Sequence, residues 1–260
     1  MVMSSELTQK LSSIAKKMGA DLFGIADLRP VQKLVVAQGG ERLSIFSHAV
    51  AIGLGLSNTV VNQIDPLMPA DFSVYGWHVY KAVSPTVDNI ALQLARELQR
   101  WGFEALPVPT SQFRQPGERM GLFSHKLAAH LAGLGFIGKN CLLITPQFGP
   151  RVRLASILTD CPLEPGTRID GRCGDCRECV DVCPVDALSG VEFCDSEVIE
   201  KRLNVDACGG YRDGGAASDK RGAHVCGLCL AVCPRAYPQK EGWRHPLAQK
   251  SDPAASKNFE

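Results

Sequence analysis

Cys173-Gly-Asp-Cys176-Arg-Glu-Cys179-Val-Asp-Val-Cys183-Pro184 and Cys226-Gly-Leu-Cys229-Leu-Ala-Val-Cys233-Pro234 decide how this chain reads. The first is a C-x2-C-x2-C-x3-C-P run, in which three closely spaced thiolates take corners of one [4Fe-4S] cube and the fourth reaches across to a second cube. One such run therefore predicts another. Laid on the first by its Cys-Pro end, the second run puts Cys233, Cys229 and Cys226 at the fourth, third and second positions, with Ala223 at the first. The second cube is thus one ligand short, and between the runs only Cys194 and Cys208 can fill the place. Cys208 is favoured, because the glycines in Asp206-Ala-Cys208-Gly-Gly-Tyr211 let backbone approach a cluster closely. Cys194 follows Val191-Glu-Phe193, which reads as a short strand or helix start. The expected wiring is Cys173, Cys176, Cys179 and Cys233 on one cube, and Cys183, Cys208, Cys226 and Cys229 on the other.

Zinc and disulfides are the plainer readings of so many cysteines. Zinc usually takes ligand pairs separated by a longer loop, which three cysteines in seven residues followed by Cys-Pro fit poorly. Disulfides need an oxidising compartment, and Met1-Val-Met-Ser-Ser-Glu6 lacks the basic-then-apolar pattern of a secretory signal. The longest apolar stretch, Ala49 to Leu56, is far too short to span a membrane. A soluble cytoplasmic protein is expected. With 260 residues, 45% of them hydrophobic, the chain can hold one sizeable core and a smaller module. A net charge of +1 without runs of one sign gives no electrostatic support for a nucleic-acid or membrane partner.

Leu7, Leu11, Ile14 and Met18 recur at helical spacing, between Ser4 or Ser5 as N-cap and Gly19 beyond the end. Asp21 to Ala26 and His48 to Leu56 read as strands, the second apolar on both faces and so central in a covered sheet. Ser84-Pro85 marks an N-cap and first helical residue, followed by an apolar stripe from Val87 to Trp101. Further strands are expected over Phe103 to Val108, Cys141 to Thr145 and Val152 to Leu158, with a helix capped by Ser124 between the first two. Pro162 to Gly171 reads as a linker, dividing the chain into residues 1–160 and 161–260.

Gly133-Leu-Gly135-Phe-Ile-Gly138-Lys139-Asn140 matches G-x-G-x-x-G and nearly matches a P-loop. Such loops follow a strand and open a helix, so that the anion meets the helix N-terminus. Here a helix comes first and a strand after, so neither nucleotide reading stands.

This glycine stretch from Ala132, the following Leu142-Leu-Ile144 and Phe148-Gly149, and Leu158-Thr-Asp160 ahead of two ferredoxin-type runs resemble the epoxyqueuosine reductase family. The similarity takes in Leu11 to Ala26 and the second cysteine run. It implies an α+β fold: a nitroreductase-like cobalamin-binding domain over residues 1–160, followed by a two-[4Fe-4S] ferredoxin-like domain over 161–260 that reduces the cobalt. Related reductive dehalogenases share this plan. The family also has a tyrosine shortly after its fourth ligand, as Tyr211 stands after Cys208. The resemblance implies that Gly133, Gly135 and Gly138 pack against the corrin, with Lys139 and Asn140 as polar contacts. Two departures stand out. The family's proton-donating aspartate is matched by Arg119, with no Asp or Glu between Met120 and Lys139, and the chain ends at Glu260 without the helical repeats that help grip tRNA.

His125 and Lys126 lie beside the family's acidic-basic pair and are the candidate proton donors, although a histidine at a helix start is more often a capping or surface residue. Tyr75, Trp77 and Tyr80 offer a floor for a flat cofactor, or simply core; Cys141 reads as a small buried hydrophobe. The expected function is an iron-sulfur oxidoreductase passing electrons from two cubes to a bound cobalamin. Alternatives are a ferredoxin-like electron carrier or corrinoid-protein reductase without substrate chemistry of its own, and a flavin-dependent reductase. Expected partners are a low-potential donor of ferredoxin or flavodoxin type, and a small-molecule substrate or partner protein. Neither a membrane nor a nucleic acid is expected, and epoxyqueuosine-containing tRNA is therefore not the expected substrate.

Overall fold

A computed structural model describes residues 2–64, 73–110, 121–194, 201–212 and 226–236. The chain folds into two compact units, neither continuous in sequence: one comprises Met1–Gly55, Tyr80–Phe136 and Val152–Asp170, and the other Leu56–Val79, Ile137–Arg151 and the segment that begins at Gly171. Two stretches ahead of residue 160 thus group with the cysteine runs.

The first unit is built on a four-stranded antiparallel sheet. In chain order its elements are α1 (Val2–Lys17), β1 (Leu22–Asp27), α2 (Gln32–Gly39), β2 (His48–Gly55), α3 (Ser84–Arg100), β3 (Ala105–Val108), α4 (His125–Leu131) and β4 (Val152–Thr159). The strand order is β1-β2-β4-β3. As its apolar run requires, β2 is central, pairing Val50 with both Ile25 and Ile157. Period-two alternation then sorts the side chains onto two faces. Ile25, Val50, Ile52, Ala155 and Ile157 share one core with Leu11 and Ala15 of α1 and Ile90, Leu94 and Leu98 of α3. The opposite face carries Gly24, Ala26, Ala49, Ala51 and Ser156, residues small enough for α4 and the turn after it to come close. At Gly24 an added Cβ would lie 3.0 Å from the Ala132 Cβ. This antiparallel sheet between helices is the expected α+β class.

Three local expectations change. The first helix already begins at Val2, so Ser4 and Ser5 lie inside it rather than capping it. Ser84 does not cap a helix start, because a π-helical turn, Trp77–Val83, runs into α3 without a break and the Ser84 hydroxyl instead accepts from Arg153 Nε at 2.9 Å. Pro85 removes a backbone donor one residue into α3, and a wide turn ahead of it is a known way to accommodate that loss. Nor is Cys141 to Thr145 a full strand. Gly138 donates to Leu142 O and Cys141 to Gly138 O, both at 2.9 Å, closing a turn that leaves only Leu143–Ile144 extended, paired with Phe136–Ile137.

In the second unit each cysteine run enters a single helical turn, Glu178–Asp181 and Leu228–Ala231, carrying Cys179 and Cys229. The two turns pack together. After the first run, an isolated Leu188↔Leu203 bridge leads to the helix Val205–Arg212, which holds Cys208. Among the described residues no helix is long and apolar enough to cross a membrane.

Candidate metal centre

None of the eleven cysteines is in a disulfide. Eight of them fall into two neighbourhoods. Burial pushes the Cys179 thiol up to about 12, and the nearby thiols of Cys233, Cys173 and Cys176 add to the rise. Cys233 is likewise pushed up to about 12 by burial, with Cys173 and Cys176 beside it. Burial holds Cys229 well above the ordinary thiol range, and Cys226, Cys179, Cys208 and Cys183 raise it further. Tyr211 is raised by burial and then by Cys226 and Cys183, so it borders the second group. Cys208 is therefore placed close to Cys229, whereas Cys194 is exposed.

Thiols so crowded resist ionising one another, and cationic metal removes that conflict because a coordinated thiol gives up its proton outright. Among the described residues no three donors converge on a single metal position. Cubes do not require that, since each thiolate binds its own corner iron. The donor set fits two [4Fe-4S] clusters.

Four side chains that bind the unit together come from outside the runs. Lys139, 8% exposed, donates through Nζ to the carbonyls of Gly174 and, at 3.3 Å, Cys176, while its backbone N–H points to Cys173 Sγ at 3.5 Å. Asn140 donates to the Cys229 carbonyl at 3.2 Å and accepts from Leu142 N at 3.1 Å. Arg151, 1% exposed, donates to Asn58 Oδ1 at 2.8 Å and to the Ala231 carbonyl at 3.1 Å. Glu192 accepts from the backbone of Cys173 and Gly174 at 3.0 and 2.9 Å, fixing the start of the first run. Nothing in sequence distinguishes Arg151 or Glu192 from surface charges. Lys139 and Asn140 were legible as special, but as partners of a corrin, whereas their side chains reach cysteine-run carbonyls.

The glycines of that stretch serve packing. Gly133 has φ +75°, and any Cβ there would run into the Thr167 carbonyl. Gly135 O accepts from His130 Nδ1 at 3.0 Å, and Gly138 closes the turn already described. His125 is held from both sides, Nδ1 2.9 Å from Ser156 Oγ and Nε2 3.0 Å from Pro109 O. A carbonyl only accepts, so Nε2 carries the proton and Nδ1 accepts from the serine. Burial pushes this imidazole down to about 4 and keeps it neutral. Lys126 follows on the same helix, partly buried, and Arg119 lies outside the described residues. A cleft of about 640 Å³ beside α1, bordered by Ser12, Lys16, Phe23 and Ala132, contains none of these candidates.

Residues 172–236 match the model of a 4Fe-4S double cluster binding domain. The chain is 35% identical over 143 residues to epoxyqueuosine reductase of Bacillus anthracis, a match covering 54% of this chain and 36% of that protein. It is 31% identical over 177 residues to tetrachloroethene reductive dehalogenase of Dehalobacter restrictus, covering 62% of this chain and 29% of that one. The chain thus spans about a third of these curated relatives. Among solved structures, an epoxyqueuosine reductase with a tRNA-Tyr epoxyqueuosine-modified stem loop superposes with a TM-score of 0.61 at 22% identity, covering 94% of this chain and 68% of that one. A reductive dehalogenase described as suggesting a mechanism for B12-dependent dehalogenation gives 0.67 at 18% identity, covering 98% and 34%. The cysteines, the matched domain and the shared fold lead to one conclusion: this chain carries a 4Fe-4S double cluster binding domain and resembles the epoxyqueuosine reductases, with the fold of the reductive dehalogenases.

Proposed function

We propose that this chain is a cytoplasmic iron-sulfur reductase that takes single electrons from a low-potential donor of ferredoxin or flavodoxin type and passes them through two cubes to a cobalamin. The observation that carries the reading is the double-cluster domain set within a fold that epoxyqueuosine reductases share with a B12-dependent dehalogenase. When bound, cobalamin would supply a cobalt centre able to collect single electrons and deliver a pair to the substrate. The protein's part lies in its own residues. Cys173, Cys176, Cys179 and Cys233 hold one cube, and Cys183, Cys208, Cys226 and Cys229 the other. Lys139, Asn140 and Arg151 fix the runs, so contacts to the corrin fall to backbone around Gly133 to Gly138. Of the two candidate proton donors we assign Lys126, because both ring nitrogens of His125 are engaged.

The substrate we propose is a small molecule or a partner protein, given a net charge of +1 and no run of basic residues. A second reading, epoxyqueuosine-containing tRNA, is favoured by the likeness to a reductase solved with such a stem loop. Anaerobic protein with its clusters in place, incubated with hydroxocobalamin and separately with flavin mononucleotide, tests the cofactor. A base-off cobalamin spectrum is expected. No binding at high micromolar cobalamin turns the reading to an electron carrier, and tight flavin binding turns it to a flavin reductase. Conversion of epoxyqueuosine-tRNA to queuosine-tRNA by the loaded protein would establish the second substrate.

A further inference from the structure

Arg202 is 4% exposed, in the unit that holds the cysteine runs. A guanidinium stays charged at any working pH, and burying one without a partner is costly. Lys139 and Arg151 meet carbonyl oxygens, but among the described residues Arg202 meets none. Its side chain reaches two groups: Nη1 lies 3.5 Å from Cys141 Sγ, and the guanidinium carbon sits 4.8 Å from the centre of the Phe193 ring. Among the described residues its Nε–H has no hydrogen-bond partner, and no carboxylate pairs with it.

The sulfur that Arg202 touches has an unusual position. Cys141 is 2% exposed and packs in one small cluster with Cys179, Val180 and Leu188, against which Cys229 also lies. Cys179 belongs to the first cysteine quartet and Cys229 to the second. The backbone at Cys141 adopts φ +57°, a left-handed conformation uncommon for any residue but glycine or asparagine, so its sulfur is held there by a turn rather than by preference. Arg202 therefore brings a fixed positive charge against a sulfur of the small cluster that also takes in Cys179, a ligand of one cube, and against which Cys229, a ligand of the other, packs.

We propose that Arg202 sets the reduction potential of the cluster pair, its charge favouring the reduced state. Four thiolates leave each cube net negative, one further electron makes it more so, and nearby charge and hydrogen bonds to sulfur are among the levers that fix cluster potentials. The cubes would in turn provide the negative counterpart that, among the described residues, no carboxylate supplies to the buried guanidinium. Arg202 acts through this field, as a positioning and tuning residue rather than a catalytic one.

The test is an anaerobic redox titration followed by electron paramagnetic resonance, on the full chain and on Arg202→Met and Arg202→Lys. Arg202→Met with its iron retained should lower the midpoint of at least one cluster by about 59 mV, a tenfold drop in the one-electron reduction equilibrium. Arg202→Lys, which keeps the charge, should stay within a third of that shift. Unchanged midpoints in an iron-replete Arg202→Met overturn the proposal. If Arg202→Met loses iron, Arg202→Gln is titrated in its place, and loss of iron there too marks Arg202 as structural and also overturns it. The inference rests on the two-cluster reading, and the iron content of the unmodified chain separates the two failures. A chain without about eight iron refutes that reading; a chain with them and insensitive midpoints refutes only the role of Arg202.

Discussion

Asn140 Nδ2 donates to the carbonyl of Cys229 at 3.2 Å, joining a turn that follows the glycine stretch to the second cysteine run 89 residues later. Lys139, its neighbour in sequence, reaches the first run through the carbonyls of Gly174 and Cys176. Two adjacent side chains thus tie both runs to one turn, and they are buried at 8% and 5% exposure. Removing either takes a buried donor away from a partly exposed cysteine-run carbonyl.

Asn140→Ala is expected to destabilise the chain by about 0.5–1.5 kcal/mol, the net worth of a neutral hydrogen bond, and Lys139→Met by about 1.5–3 kcal/mol, since its donor is charged. Because the partners are cluster-run carbonyls, both variants should also lose iron to a chelator faster than the parent. Denaturant unfolding and the rate of iron release measure the two effects. Parental values in both would mean that these bonds do not hold the runs.

The ligand assignment separates two cysteines. Cys208→Ala should reduce the iron content from about eight to about four per chain, while Cys194→Ala should keep all eight. Iron and sulfide analysis on anaerobic protein decides it, and the opposite pattern would transfer the eighth ligand to Cys194. Loss of a ligand should also lower stability, since each thiolate ties distant segments together through the cluster.

Arg151→Met is expected to cost about 1.5–3 kcal/mol, because it removes charged donors from Asn58 and from the Ala231 carbonyl just beyond Cys229. Unlike Arg202→Met, it should act mainly on stability. Unfolding by urea gives the number, and a change below about 0.5 kcal/mol would show that water replaces these bonds.

His125 should give the chain an acid-sensitive component. The folded imidazole titrates at about 4, below its ordinary 6.5, because burial disfavours the charged form. The unfolded chain therefore binds a proton first as the pH falls. The stabilisation is complete above pH 6.5 and is lost progressively between 6.5 and 4, a total on the order of 3 kcal/mol. His125→Gln, which can still bond to Ser156 and Pro109, should flatten stability across this window. Urea midpoints measured from pH 7 to pH 4 test the difference, and parallel curves would rule it out.

How much could be read in advance differs between the two units. In the first, the stripe of α3 and the apolar run of β2 predicted a helix against a covered central strand, because burial there follows from periodicity along a single segment. The face lined by Gly24, Ala49, Ala51 and Ser156 could not be read, since the sizes that let α4 come close matter only once three strands lie side by side. Ser84-Pro85 carries the signature of a cap because capping chemistry is local, whereas the π turn ahead of it is visible in no residue pattern.

The cysteine spacings determined by themselves that two clusters are held and by which runs, because ligand spacing is a property of contiguous chain and of the cube's dimensions. What surrounds those clusters was decided only by the tertiary structure. Lys139, Asn140, Arg151 and Arg202 each make a hydrogen bond across 35 to 93 residues of sequence, and a lone charge in a sequence reads as a solvated surface group. Burial reverses that meaning. Once water is removed, a cation must find carbonyls, a sulfur or a cluster to face, and only the folded chain brings those groups to it.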